Sequence, residues 1–219
     1  YLIGSWRPRL RFCRGRARYI LSFGSKVLAA DLIINLERNI RSLAVGKVFG
    51  SADLAFYDQG GKYPSLLVDN VNSSINTVML PAYSRVQRDR EQLLAMLRNS
   101  VRMGMFLLGP MLIGFGAVAE NFVLAILTEK WLPCVLFLRV FCLGYVCWPI
   151  ITANLNAAKA VGRSDLYLRC QLLNEGVCIL LLLATFRVSV EAIAYGMLIT
   201  NIVTQILDAQ LNKKLIGYG

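Results

Sequence analysis

The chain has 219 residues, of which 56% are apolar and 17% are charged, and its net charge is +11. A soluble domain carries about 45–50% apolar and about 25% charged residues, so this composition excludes intrinsic disorder and argues against a water-soluble enzyme. The cations come in bursts between apolar runs, which is typical of an integral membrane protein and does not predict a nucleic-acid partner.

Six stretches of the chain have the length and apolar content of membrane spans, which need about 20 mostly apolar residues each. In chain order the predicted spans are 17–49, 64–86, 94–127, 133–158, 166–186 and 192–211. We expect residues 1–16 to be a basic cytoplasmic linker and residues 212–219 to begin a further cytoplasmic loop. The predicted fold is an all-α polytopic membrane bundle, with six transmembrane helices in one lobe that covers residues 17–211.

The cations between the predicted spans are distributed unequally over the two sides of the membrane. One side collects 16 Lys and Arg residues, in 7–18, 85–102, 159–169 and 213–214, and the other side has three. Because positive residues concentrate in cytoplasmic loops, this asymmetry predicts that both ends of the chain are cytoplasmic. The chain begins at Tyr1, and no signal peptide precedes the first apolar run, so we expect it to be part of a longer protein.

Polar side chains follow helical faces inside the predicted spans. They cost several kcal/mol when unsatisfied in hydrocarbon, so a shared hydrophilic interior is expected, or else a structural network of interhelical hydrogen bonds. Glu37 and Arg41 are four residues apart and can neutralise each other, whereas Arg38 is the preferred candidate for binding an anion. The candidate lumen residues are Asp31, Asn35, Arg38 and Arg41 in span one, Asp69, Asn72, Ser73 and Asn76 in span two, and Arg139 in span four.

Motifs for catalysis and cofactor binding are missing from the sequence. It has no histidine, no phosphate-binding GxxxxGK[ST] loop, no GxSxG and no HExxH. Its six cysteines show neither CxxC nor zinc-site spacing, and those inside apolar runs act as small hydrophobic residues. We therefore expect no enzyme activity, no cofactor and no metal, and the polar interior favours transport.

Several short blocks of the sequence together resemble one family of membrane proteins. The blocks are Leu54-Ala55-Phe56-Tyr57-Asp58-Gln59-Gly60, Tyr63-Pro64-Ser65-Leu66, Asn70-Val71-Asn72-Ser73-Ser74-Ile75, Leu80-Pro81-Ala82-Tyr83-Ser84, Thr128-Glu129-Lys130-Trp131-Leu132-Pro133 and Gly162-Arg163-Ser164-Asp165-Leu166. They are similar to Wzx-type O-antigen, colanic acid and exopolysaccharide flippases, within the multidrug/oligosaccharidyl-lipid/polysaccharide exporter superfamily. One departure is that relatives often have Tyr-Asn-Arg-Gly where this chain has Tyr57-Asp58-Gln59-Gly60.

The resemblance implies that this chain is one lobe of a two-lobe, MATE-like transporter in the bacterial inner membrane. Such a transporter moves undecaprenyl-pyrophosphate-linked oligosaccharides across the membrane by alternating access. The implied partners are that lipid-linked substrate, the bilayer, an N-terminal lobe of the same chain, and polymerase and export machinery. By the same resemblance, Arg38 with support from Arg41 would attract the pyrophosphate, and the polar residues would contact sugar hydroxyls.

Four alternative functions remain open at this point. Two belong to the same superfamily, namely a drug/cation antiporter and a peptidoglycan-precursor flippase. The third is a membrane glycosyltransferase or polymerase, which would need catalytic residues in a substantial outer loop. The fourth is a non-transporting component of a polysaccharide assembly complex.

Overall fold

The computed structural model describes residues 14–86, 89–153 and 164–216. These residues form helices and short connections, and no strand occurs among them. The helices are α1 Arg14–Val48, α2 Ser51–Arg85, α3 Arg90–Ala117, α4 Ala119–Ile126, α5 Cys134–Tyr145, α6 (described over 148–153), α7 Ser164–Thr185 and α8 Val190–Ile216, with one 3-10 turn at Glu129–Trp131. The predicted all-α class is confirmed, whereas most of the basic linker and the inner end of span four lie outside the described residues.

The second predicted span begins 13 residues too late. Pro64 marks its predicted start, but α2 runs without interruption from Ser51 to Arg85 and contains both Pro64 and Pro81. Each proline removes one backbone donor. Pro64 is fully buried, and membrane helices tolerate proline where neighbouring groups satisfy the freed carbonyl.

The third and fourth predicted spans are each divided in the structure. Residues 94–127 form α3 and α4, which meet at Val118, where the backbone leaves helical geometry (φ −92°, ψ 8°). In the fourth span, α5 ends at Tyr145 and helix resumes at Trp148. Pro149 lacks the N–H that would bond to the Tyr145 carbonyl, four residues earlier, which explains the break after α5.

Among the described residues, three helical segments are long and apolar enough to cross a membrane: Glu91–Ala117, Leu168–Thr185 and Val190–Leu207. They expose large apolar side chains such as Phe106, Leu180 and Ile202, as expected of surfaces in contact with lipid. The Cys134–Tyr145 helix is apolar but shorter. Helices α1 and α2 are long enough but carry the polar residues of the predicted lumen. The chain is therefore a multi-pass helical membrane protein.

Helix α5 is the centre of the bundle. Eight of its twelve residues are buried, and it packs against α2, α3 and α8, while α7 lies between α1 and α8. Tyr57 of α2 contacts the rings of Phe137 and Phe141 edge-on, at centroid distances of 5.7 and 5.2 Å. This arrangement holds α2, and with it the polar residues further along that helix, against the core.

Gly60 allows α2 to approach α5 at backbone distance. A Cβ added at Gly60 would lie 2.5 Å from the Cβ of Phe137 and 3.0 Å from the carbonyl oxygen of Cys134. No side chain fits at such distances unless the two helices move apart. The Tyr57–Gly60 block of the family resemblance therefore has a packing role in this fold.

Candidate functional site

A cavity of about 540 Å³ lies between α2 and α6. It is open to the surface of the lobe, and Asp69, Ser73 and Thr77 on its wall are exposed. It is lined by Asp69, Asn72, Ser73, Asn76, Thr77, Trp148 and Thr152. All four candidate residues of the second predicted span thus share one cavity, because positions three and four apart fall on one face of a continuous helix.

The cavity wall combines one carboxylate, two amides, three hydroxyls and one indole ring. The hydroxyls of Thr77 and Thr152 donate to the carbonyl oxygens of Ser73 and Trp148, at 2.8 and 3.1 Å. Asn72 is only 7% exposed, and its Nδ2 has no hydrogen-bond partner among the described residues. The wall therefore offers both acceptors and an unused donor to a polar ligand.

A second polar group is buried where α1, α2 and α7 meet. Arg41 forms an ion pair with Glu37, its Nε donates to Glu37 Oε1 at 2.9 Å, and its guanidinium lies 3.7 Å from Cys178 Sγ. Tyr57 is also within interaction distance of Arg41. The predicted neutralisation of Glu37 by Arg41 is confirmed.

Glu175 of α7 adds a further carboxylate to this buried group. The ligand atoms of Glu37, Glu175 and Cys178 lie within 4.8 Å of one another, which is close enough to hold a metal ion. Arg41 already contacts two of the three residues and supplies the positive charge there. The arrangement therefore fits a buried charge network that ties α1 to α7.

Arg38 is an exposed residue of α1 and follows Glu37 of the buried ion pair directly in the sequence. Within the part of the chain that the structure describes, it forms no hydrogen bond or ion pair. Tyr145, at the end of α5, is within electrostatic range of Arg38, Arg41 and also Asp69 of the cavity. The exposed Arg38 guanidinium thus remains available to an anion.

The other predicted residues of span one and span four occupy separate positions. Asn35 is exposed and donates its Nδ2 to the carbonyl oxygen of Asp31 at 2.8 Å, within α1. Arg139 donates its Nε to the Gly116 carbonyl oxygen at 3.3 Å, and its guanidinium lies 3.7 Å from Glu120. Arg139 therefore bridges the α3–α4 break, and the structure does not bring it to the cavity.

Comparison with known proteins gives the family of the chain. A family model described as "Polysaccharide biosynthesis protein" matches residues 1–136. The chain belongs to this family. The resemblance to Wzx-type polysaccharide exporters is thereby confirmed at the level of the family.

Three curated proteins are similar to parts of this chain. The chain is 26% identical over 161 residues to the teichuronic acid biosynthesis protein TuaB of Bacillus subtilis, covering 74% of this chain and 33% of that protein. It is 26% identical to the lipopolysaccharide biosynthesis protein WzxC of Escherichia coli, covering 63% of this chain and 28% of that protein. It is 22% identical to the succinoglycan biosynthesis transport protein ExoT of Rhizobium meliloti, covering 60% of this chain and 26% of that protein. The chain thus spans about a third or less of these relatives, and no solved structure matches it.

Four site residues of this family member were not among the sequence candidates. Trp148 and Thr152 line the cavity from α6. In the sequence they are marked by an indole N–H and a hydroxyl four residues apart, beside Pro149 in an otherwise apolar run. Glu175 and Cys178 belong to the buried charge network. The sequence feature that could have predicted this site is the single acidic residue inside an apolar stretch. In a membrane helix, such a residue needs a partner.

Proposed function

We propose that this chain is part of a transporter that moves undecaprenyl-pyrophosphate-linked oligosaccharides across the bacterial inner membrane during polysaccharide biosynthesis. The main support for this proposal is the polar cavity between α2 and α6 in a helical membrane bundle. Membership of the polysaccharide biosynthesis family supports it. Access to the cavity would alternate between the two sides as this lobe moves against the other half of a longer chain.

Arg38 is the residue that we assign to the pyrophosphate. A guanidinium is always charged and matches phosphate oxygens in geometry, and the Arg38 side chain is exposed. Arg41 is less suitable because Glu37 already neutralises it. The antiporter alternative favours a cationic substrate, whereas Arg38 gives this lobe an exposed positive charge.

We propose a transporter without enzymatic activity, because the described residues that line the cavity include one carboxylate and no general acid–base pair. The excess of cations on one side supports cytoplasmic positions for both ends of the chain. Polymerase and export machinery would then receive the translocated oligosaccharide.

Replacing Arg38 by alanine in the full-length protein is expected to reduce surface polysaccharide roughly tenfold to a hundredfold, because a hydrogen bond to a charged group contributes about 1.5–3 kcal/mol. Lipid-linked oligosaccharide should accumulate in the same cells. Membrane abundance should not change, since the side chain is exposed. Quantification of surface polysaccharide, with immunoblotting of membranes, checks both expectations.

The matched control for this substitution is Lys47→Ala, which removes an exposed cation from the last turn of the same helix. It should leave surface polysaccharide within about a factor of two of wild type, as expected of a surface substitution. Wild-type polysaccharide in the Arg38→Ala strain, at normal protein abundance, would contradict the assigned role of Arg38.

A further inference from the structure

Helix α3 carries two arginines on the face that points away from the bundle. On its other face, Ser100 is buried, and its Oγ accepts a hydrogen bond from the Tyr83 hydroxyl of α2 at 2.6 Å. Arg98 and Arg102 lie two residues before and two residues after Ser100, which corresponds to a rotation of about 200° in a helix. Both arginines are exposed, and the contact between Tyr83 and Ser100 therefore keeps the arginine face of α3 turned outward.

The arginine face continues as an apolar surface along α3. Phe106 and Ile113 follow Arg102 at intervals of four and then seven residues, which places them on the same side of the helix, and they are 81% and 60% exposed. Because α3 is long and apolar enough to cross a membrane, these two side chains are positioned to contact acyl chains. Side chains in a helix tilt toward its N-terminus, so the Arg102 guanidinium extends toward the headgroups of the leaflet in which α3 begins.

The charge of the arginine face indicates the kind of group that binds there. Arg98 and Arg102 are four residues apart, and like charges at this spacing repel each other. The single acid in the sequence of α3 is Glu91, about 10 Å along the helix axis from Arg98, and Arg102 forms no hydrogen bond or ion pair with the residues that the structure describes. A phosphate group with a net negative charge would relieve the repulsion, and its oxygens match guanidinium N–H groups in geometry.

We propose that the arginine face of α3 binds an acidic phospholipid of the surrounding membrane, in the leaflet in which α3 begins. Arg98 and Arg102 hold the phosphate of its headgroup, and one acyl chain lies along Phe106 and Ile113. A zwitterionic phospholipid also has a phosphate, but its ammonium group brings a positive charge to a site that already holds two. The face therefore selects lipids with a net negative charge.

Fluorescence quenching by brominated lipids tests this site in the full-length protein. Its native cysteines are replaced, Phe106→Cys is labelled with bimane, and the protein is placed in phosphatidylcholine nanodiscs that contain dibrominated phosphatidylglycerol or dibrominated phosphatidylcholine. At equal mole fractions, the phosphatidylglycerol should quench the label more strongly. Arg102→Gln should lower the relative affinity for phosphatidylglycerol about fivefold, since one arginine near an acidic lipid surface contributes about 1 kcal/mol. Removing Arg98 as well should abolish the preference.

A label at position 180 and a substitution at position 187 are the matched controls. Leu180 of α7 is 68% exposed, and the sequence has no Lys or Arg within six residues of it, so the two brominated lipids should quench a label at Leu180→Cys equally. Arg187 is an exposed arginine that lies over the ring of Phe186, at 5.3 Å from its centroid. Arg187→Gln should leave the lipid preference at position 106 unchanged. Arg102→Lys keeps the charge and should retain more of that preference than Arg102→Gln.

Three results would overturn the inference. They are equal quenching by the two lipids at position 106, an equal preference for phosphatidylglycerol at positions 106 and 180, and a preference that survives the removal of both Arg98 and Arg102. The proposed transport is tested separately, because the lipid site uses neither Arg38 nor the residues that line the cavity.

Discussion

Replacing Arg41 by methionine is expected to destabilise the protein by about 3–5 kcal/mol, the usual cost of removing one partner from a buried ion pair. The Glu37 and Arg41 side chains are only 6% and 13% exposed, so water cannot compensate for the lost charge. Glu175 is close to the same group and would add to the repulsion. Since proteins are stable by about 5–15 kcal/mol, the full-length variant should accumulate poorly in membranes and unfold at a clearly lower temperature in detergent.

A double variant distinguishes the contribution of the ion pair to stability from the separate contributions of its two residues. Arg41→Met combined with Glu37→Gln removes both charges, and it should recover much of the stability that the single variant loses. Arg102→Met, at an exposed position on α3, is the matched control and should change stability by no more than about 0.5 kcal/mol. A stable Arg41→Met protein that no longer supports polysaccharide export would instead favour the substrate role predicted for Arg41 from the sequence.

Replacing Gly60 by alanine should separate α2 from α5. It should lower the free energy of unfolding by about 1–3 kcal/mol or more, the range for overpacked cores. The new Cβ would meet the Cβ of Phe137 and the backbone of Cys134, and neither group is the mobile end of a side chain. Tyr57 would be displaced with the helix, and the cavity residues further along α2 would shift. Thermal unfolding and limited proteolysis of the full-length protein measure this effect.

Gly24 provides a control with the opposite expected sign. A Cβ at Gly24 meets nothing within 4 Å, and glycine within a helix is about 0.5–1 kcal/mol less favourable than alanine. Gly24→Ala should therefore be neutral or stabilising. If Gly60→Ala were as stable as Gly24→Ala, the close approach of α2 and α5 would be wrong.

Local spacing was sufficient to predict much of the candidate site. Asp69, Asn72, Ser73 and Asn76 recur at intervals of three and four, and in any uninterrupted helix this spacing places them on one face. The same rule predicts the pair of Glu37 and Arg41, which the structure confirms. The helical class also followed from the sequence, because only closed hydrogen-bonding structures such as helices can cross a bilayer.

Long-range contacts set the limit of what the sequence predicted. Cys178 is 137 residues away from Arg41 along the chain, and no local pattern indicates that α7 completes the charge network. The breaks at Val118 and after Tyr145 were also missed, since apolar content does not distinguish one long helix from two shorter ones. At Pro64 the local rule failed because tertiary burial outweighs the helix-breaking tendency of proline.

Cysteine accessibility at position 73 most directly tests whether the polar face of α2 is a hydrated path for the substrate. In a full-length protein whose native cysteines are replaced, Ser73→Cys should react with a membrane-impermeant maleimide, because Ser73 lines the cavity. Val78→Cys is the matched control, since Val78 is an apolar residue of the same helix, 65% exposed, and should face lipid. Labelling at position 73 but not at position 78 is the predicted result. Absence of labelling at both positions would show instead that the polar side chains form a dry structural network between helices.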